Sequence, residues 1–150
     1  TMAAIWKVPP SIDQINNWSK NTLSEQIGIV FFEAGDDFIR AKMPVDHRTH
    51  QPLGLLHGGA SVALAETLGS VAATCCVDLS RQYCVGLEIN ANHIRSARTG
   101  NVVGTARPVH IGKKTQVWEI RIETEETGDL VCISRITMAV LDKNKEEQKS

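Results

Sequence analysis

The sequence predicts an α+β domain in which one antiparallel sheet wraps around a single long central helix. Three observations carry this reading. From Gly58 to Cys76 the chain is almost wholly apolar or small, and Glu66 is the one charged residue in the stretch. Four strand-like segments follow it, separated by turn residues. A helix apolar on nearly all sides must be enclosed, and consecutive strands enclose it most simply as a curled antiparallel sheet.

The elements follow in chain order. Ser11 and Gln14 stand at capping-box spacing and predict a short helix ending near Trp18. A further helical turn fits Leu23 to Gln26. Ile29 to Glu33 reads as a strand, Gly35-Asp36-Asp37 as a turn, and Phe38 to Met43 as the hairpin partner. Pro44 to Pro52 is a polar loop that leads to the central helix. The later strands are expected at Tyr83 to Ile94, Asn101 to His110, Thr115 to Thr124 and Leu130 to Leu141. Alternation is clearest in the third, with Trp118, Ile120 and Ile122 on one face and Val117, Glu119, Arg121 and Glu123 on the other. In the last strand Ile136, Met138 and Val140 share a face. Residues 1–141 are thus read as one domain and 142–150 as a charged, solvated tail. A sheet of this size leaves its edges and one helix face uncovered, which favours a homo-oligomer.

Composition bounds the function. With 42% hydrophobic and 22% charged residues, the chain has the make-up of an ordinary soluble domain. A net charge of −1 argues against a general binder of nucleic acid or membrane surfaces. Charge is uneven, however. The basic residues Arg81, Arg95, Arg98, Arg107, Lys113, Lys114 and Arg121 precede an acidic run at Glu123, Glu125, Glu126 and Asp129. The four cysteines, Cys75, Cys76, Cys84 and Cys132, form no C-x-x-C pair, so a reducing cytoplasm is expected, with Cys75 and Cys76 as buried helix residues. The opening residues hold Lys7, Pro9 and Pro10 rather than the apolar core of a leader. Glu66 and its small neighbours weigh against a membrane span at Ala60 to Val77. Asp46, His47 and His50 cluster without a third ligand at suitable spacing, so no metal is expected. There is no G-x-S-x-G elbow, P-loop or dinucleotide fingerprint.

The chemistry sits on the central helix. A lone carboxylate in an apolar wall is costly unless it is paired, hydrogen-bonded or used. At the helix start, His57-Gly58-Gly59 leaves backbone N–H groups bare. A donor pair and an isolated carboxylate are two parts of an acyl-transfer site. Gly58 and Glu66 are eight residues apart, which is ~12 Å along a helix, whereas a reacting carbonyl needs donor and base each within ~3 Å. If both act on one carbonyl, they come from two antiparallel helices, as a two-fold dimer supplies. The Gly58 N–H would then hold the oxyanion, and Glu66 of the partner would activate water or attack directly. Ser70, one turn beyond Glu66, is placed to orient Glu66 or the water. Gln51 and His57 flank the helix entrance, within range of the carbonyl oxygen or the water. The bland alternatives are a Glu66 salt bridge to a core arginine, a His57 that only caps the helix, and a Ser70 that only packs. Arg95, Arg98, Lys113 and Lys114 suit the phosphates of a substrate with a nucleotide handle such as coenzyme A.

At these residues the chain resembles the hotdog-fold acyl-CoA thioesterases. Within them it is most similar to the bacterial 1,4-dihydroxy-2-naphthoyl-CoA thioesterase group, akin to the 4-hydroxybenzoyl-CoA thioesterases that use a glutamate. The resemblance runs through Met43 to Thr49, Gln51 to Gly54, Leu55 to Val62, Leu64 to Glu66, Gly69-Ser70 and Val85 to His93. Gln116 to Trp118 and Ser134-Arg135 match as well, and the likeness spans most of Ile5 to Leu141. It implies Glu66 as nucleophile or base, Gly58 as backbone donor, Gln51 and His57 as polarising groups, Ser70 beside the water and His93 near the acyl pocket. It also implies an acyl-CoA substrate, a homodimer as active unit within a homotetramer, and no metal or organic cofactor; it assigns the reaction better than the substrate, so a place in menaquinone biosynthesis stands beside that of a general aryl-CoA or acyl-CoA hydrolase. Two rivals stand beside it. A hotdog dehydratase of 3-hydroxyacyl thioesters would carry a loop histidine, often as His-Phe-Pro, where this chain has Gln51-Pro52-Leu53-Gly54. A non-catalytic acyl-CoA-binding protein would bind without turnover.

Overall fold

The structure, a computed structural model, describes residues 3–149. It begins with two short helices, α1 (Ile12–Trp18) and α2 (Leu23–Gln26). The hairpin strands β1 (Val30–Ala34) and β2 (Ile39–Pro44) follow, then the long helix α3 (Gly58–Thr74). Four strands complete the fold: β3 (Gln82–His93), β4 (Asn101–Ile111), β5 (Thr115–Thr124) and β6 (Leu130–Asp142). All pairings are antiparallel, in the order β1-β2-β4-β5-β6-β3. No helix among the described residues is long and apolar enough to cross a membrane.

Local chemistry explains the elements. The Ser11 hydroxyl caps α1 by accepting from the Gln14 N–H at 3.4 Å. Asn16 then ties α1 to β1, its amide donating to the Phe31 carbonyl at 2.8 Å and its oxygen accepting from the Phe31 N–H at 2.9 Å. Alternation in β5 and β6 turns Trp118, Ile120, Ile122, Ile136, Met138 and Val140 toward α3, as their spacing predicts. The buried Trp118 indole donates to Gln116 Oε1 at 2.8 Å, and the Gln116 amide donates to the Ala73 carbonyl at 3.4 Å. The polar groups of that core layer are therefore satisfied.

The helix α3 packs against the sheet, burying Ser61, Leu64, Ala65, Leu68, Gly69, Ala72 and Ala73. Gly69 permits the close approach to β6: a Cβ there would stand 2.5 Å from Ile136 Cγ2. Beyond the sheet, α3 meets α2 through Thr67 and Ser24, and Glu66 is exposed.

Two expectations are adjusted. The helix ends at Thr74 rather than continuing through Cys75 and Cys76, which sit buried in the turn beyond it. The cause is the N-terminal segment, which crosses the helix end: the N–H groups of Lys7 and Val8 both donate to the Cys75 carbonyl, at 2.9 and 3.0 Å. The last strand also reaches one residue further than predicted, to Asp142, which pairs with Gln82.

At the sheet edge, β3 pairs with β6 alone and presents its other side to solvent, with Leu87 61% exposed. Its register skips between Gly86 and Glu88, a bulge that leaves Leu87 unpaired.

Candidate active site

The loop before α3 is pinned on several sides. The Gln51 N–H donates to the Leu55 carbonyl at 2.8 Å, the Leu56 N–H to Ala97 at 2.8 Å and the His57 N–H to Thr49 at 2.8 Å. His57 is the N-cap of the helix, at φ −67° and ψ 130°. Its Nδ1 accepts from the Gly59 N–H at 2.8 Å, which places the proton of a neutral ring on Nε2. The His57 carbonyl accepts from Ala60 at 3.0 Å and from Ser61 at 3.2 Å.

Of the four N–H groups at the start of this helix, only that of Gly58 is left over. Among the described residues no group accepts from it. It faces a cavity of about 300 Å³ lined by Gln51, Leu56, Gly58, Ser61, His93 and Arg95, among others. The His93 ring lies against Gly58 so closely that a Cβ there would stand 2.8 Å from Nε2. Gln51 braces the loop, its side-chain oxygen accepting from the Leu53 N–H.

Glu66 and Ser70 line a different cavity, also about 300 Å³, walled by Ile15 and Trp18 of α1, Ser24 of α2, and Val71. Thr67 joins α3 to α2 there through a 3.4 Å contact with the Ser24 hydroxyl. Among the described residues Glu66 has no ion pair and no hydrogen bond. Core arginine pairing does not account for it. Its Oε1 rests against β3 at Gly86.

The basic residues disperse. Arg95 joins the Gly58 cavity. Arg98 lines a small hollow beside Asn101 and Thr127, and its carbonyl accepts from His50 Nε2 at 2.9 Å. Lys113 and Lys114 sit on the β4–β5 turn in a cavity of about 820 Å³, larger than either half-site cavity, with Lys7, Gln82, Val140 and Asp142. That cavity lies toward the C-terminal end of α3 and holds no residue from either half-site, so size does not locate the chemistry. Within one chain, then, Gln51, Gly58, His93 and Arg95 come together and Glu66 and Ser70 come together. His57 stands at the helix cap, while Arg98 and the two lysines lie apart.

The Asp46 cluster resolves into structure. Arg48 grips Asp46 at 2.7 Å and holds its carboxyl well below the usual carboxylate range. No group of three metal-ligating side chains occurs among the described residues. Sequence reasoning missed the α1 and α2 contributions to the Glu66 cavity, the placing of Lys7 beside Lys113 and Lys114, and the contact of Gly86 with Glu66. Gly86 alone had a signal, as a glycine inside a predicted strand.

Comparison with known proteins gives a consistent result. Residues 53–131 match the family model described as the thioesterase superfamily. The chain is 50% identical over 137 residues to the 1,4-dihydroxy-2-naphthoyl-CoA hydrolase of Escherichia coli, covering 91% of this chain and 99% of that one. It is 48% identical over 137 residues to the proofreading thioesterase EntH of Cronobacter sakazakii, covering 91% and 98%. Among solved structures, a thioesterase of Haemophilus influenzae superposes with a TM-score of 0.89 at 46% identity, covering 92% and 95%.

Proposed function

Given that the chain belongs to the thioesterase superfamily and adopts its hotdog fold, we propose that it hydrolyses aromatic acyl-CoA thioesters to the free acid and CoA at a site shared by two protomers. The 1,4-dihydroxy-2-naphthoyl group is the first acyl group to test, because a relative at 50% identity is named for it. Thioester hydrolysis itself follows from the family and from the names of its members.

One observation carries the catalytic reading. The Gly58 N–H is the one unused donor at the start of α3, and it opens on a cavity that contains no carboxylate. The unpaired carboxylate of Glu66 opens on another. Each half lacks what the other has, and ~12 Å of helix separates them. A two-fold partner laid against the Glu66 side of α3 and the free edge of β3 would bring Gly58 of one copy to Glu66 of the other.

In the complete site the thioester carbonyl oxygen accepts from the Gly58 N–H, aided by the positive end of the helix dipole. Glu66 then either takes a proton from water as the water oxygen bonds to the carbonyl carbon, or attacks that carbon itself to give an anhydride that water opens. In both routes the C–S bond breaks and the CoA thiolate leaves, gaining a proton. Ser70 lies within the Glu66 cavity to orient the carboxylate or the water. Gln51, His93 and Arg95 surround the thioester in the Gly58 cavity. His57 holds the helix start, and Arg98, Lys113 and Lys114 are left for the CoA phosphates from outside both half-sites.

Thiol release from benzoyl-CoA and 1,4-dihydroxy-2-naphthoyl-CoA tests this directly. Glu66→Gln should lower kcat by ~10²–10⁴. Wild-type activity in that variant removes Glu66 from the mechanism. Mixing unfolded Glu66→Gln and Gly58→Pro chains and refolding them together should return about one quarter of wild-type activity, since half the dimers then hold one intact site of two. No recovery removes the shared site.

A further inference from the structure

We propose that Gly86 is a positioning residue for the reaction: the missing side chain on β3 forms the seat in which the Glu66 carboxylate rests. The inference builds on the role given to Glu66 above.

The backbone supplies no other reason for a glycine at this place. The left-handed glycines among the described residues are Gly28, Gly54, Gly100 and Gly128, and Gly86 is not one of them. An L-residue fits its conformation, and a side chain would strengthen a long edge strand. Space is the remaining reason. A Cβ at Gly86 would stand 3.1 Å from Glu66 Oε1, whereas its next neighbours, Ile136 Cδ1 at 3.9 Å and Met138 Sδ at 4.0 Å, are at ordinary contact distance. Among the described residues the carboxylate is the only group that a methyl there would crowd.

The local strand geometry has the same focus. Gly86 pairs with Met138 and Glu88 with Thr137, so Leu87 is the extra residue of a bulge, turned out to solvent. Bulges bend a strand and re-aim the residues around them. This one falls where β3 passes the carboxylate. Among the described residues Glu66 has no hydrogen bond or ion pair to hold it, so contact with β3 sets its direction. A methyl would shift the carboxylate by a few tenths of an ångström, and rate falls steeply as reacting groups are misplaced, by about 10²-fold for 1 Å. In the shared site the thioester carbonyl is held by the Gly58 N–H of the other copy and not by Glu66, so displacing the carboxylate should be felt in kcat rather than in binding.

The test uses the full chain and thiol release from benzoyl-CoA. Gly86→Ala should lower kcat several-fold, up to about 10-fold, with KM and melting temperature unchanged. In the Glu66→Gln background the same change should leave the residual rate as it is, because the group it displaces no longer reacts. Wild-type kcat in Gly86→Ala overturns the proposal while leaving Glu66 in place if Glu66→Gln is slow. Equal losses in both backgrounds also overturn it, because they mark a structural role. Full activity in Glu66→Gln is a different failure, that of the Glu66 assignment itself. Should Gly86→Ala melt early, Glu66→Ala beside it must restore the melting temperature, or the carboxylate is not the group in the way.

Discussion

Replacing Gly58 by proline removes a single hydrogen-bond donor from a place where proline is otherwise welcome. Proline is favoured at the first helical position, whose N–H has no partner within a helix. Gly58 holds that position. The preceding residue, His57, already has the extended backbone that a residue before proline needs, at φ −67° and ψ 130°. The N–H that disappears serves nothing else among the described residues. Proline also adds a Cβ, which would stand 2.8 Å from His93 Nε2 and push the ring aside. Gly58→Ala adds the same Cβ and keeps the N–H, so it carries the effect of the Cβ on His93 alone. The ratio of the two variants reads the cost of replacing that N–H by the ring Cδ. If that N–H holds the oxyanion, proline should be slower than alanine by a further ~10²–10³ in kcat, or ~2.7–4 kcal/mol of transition-state stabilisation. The assay is steady-state thiol release from benzoyl-CoA, with thermal melts to show that both variants fold. Equal kcat for the two folded variants would refute the oxyanion role.

Two further outcomes test the surroundings of the site. His57→Ala should cost ~1 kcal/mol in a urea melt through loss of the Nδ1 cap on the Gly59 N–H, and His57→Asn should recover most of it, since asparagine caps well. If asparagine restores the melt but not kcat, His57 also acts on the substrate. Burial pushes the Cys75 thiol up to about 11 and the Cys76 thiol up to about 12, with neighbouring cysteines adding to the latter. Both should stay protonated at roughly pH 8 and resist iodoacetamide in the folded protein, then react after denaturation, as peptide mass spectrometry would read. The unfolded chain loses these protons first, near pH ~8.5. Stability should therefore fall as pH rises from there toward about 11 and 12, where the folded thiols ionise.

Much of the fold was legible because it is written in local periodicity. Alternation of Trp118, Ile120 and Ile122 marks a strand with one buried face whatever it pairs with. Ser11 and Gln14 mark a helix start through a bond spanning three residues. The helix end was less legible. Cys75 is capped by backbone donors from Lys7 and Val8, almost seventy residues earlier, and no local pattern announces that contact. The half-site around Gly58 was partly legible, since Gln51, His57 and Gly58 are close in sequence. Arg95 and His93 reach it only because β3 ends beside the helix start. The basic residues show the limit most clearly. Arg95, Arg98, Lys113 and Lys114 look alike along the chain, yet they divide among three separate cavities.

The sequence by itself determined which segments are strands and which is the long helix, and it set a bare glycine N–H and a lone carboxylate on that helix. It also determined that the two cannot meet on one helix, because eight residues of α-helix span ~12 Å wherever the helix lies. Tertiary structure alone decided the rest. That β3 leaves its neighbours in sequence and closes the sheet beside β6 is a property of the pairing order. So is the seat that Gly86 makes under Glu66, two residues twenty positions apart whose contact depends on strand register. Register is collective: a slip of one residue turns every side chain of a strand to the opposite face. A local pattern can therefore show that a strand exists while leaving open which of its residues meets the carboxylate.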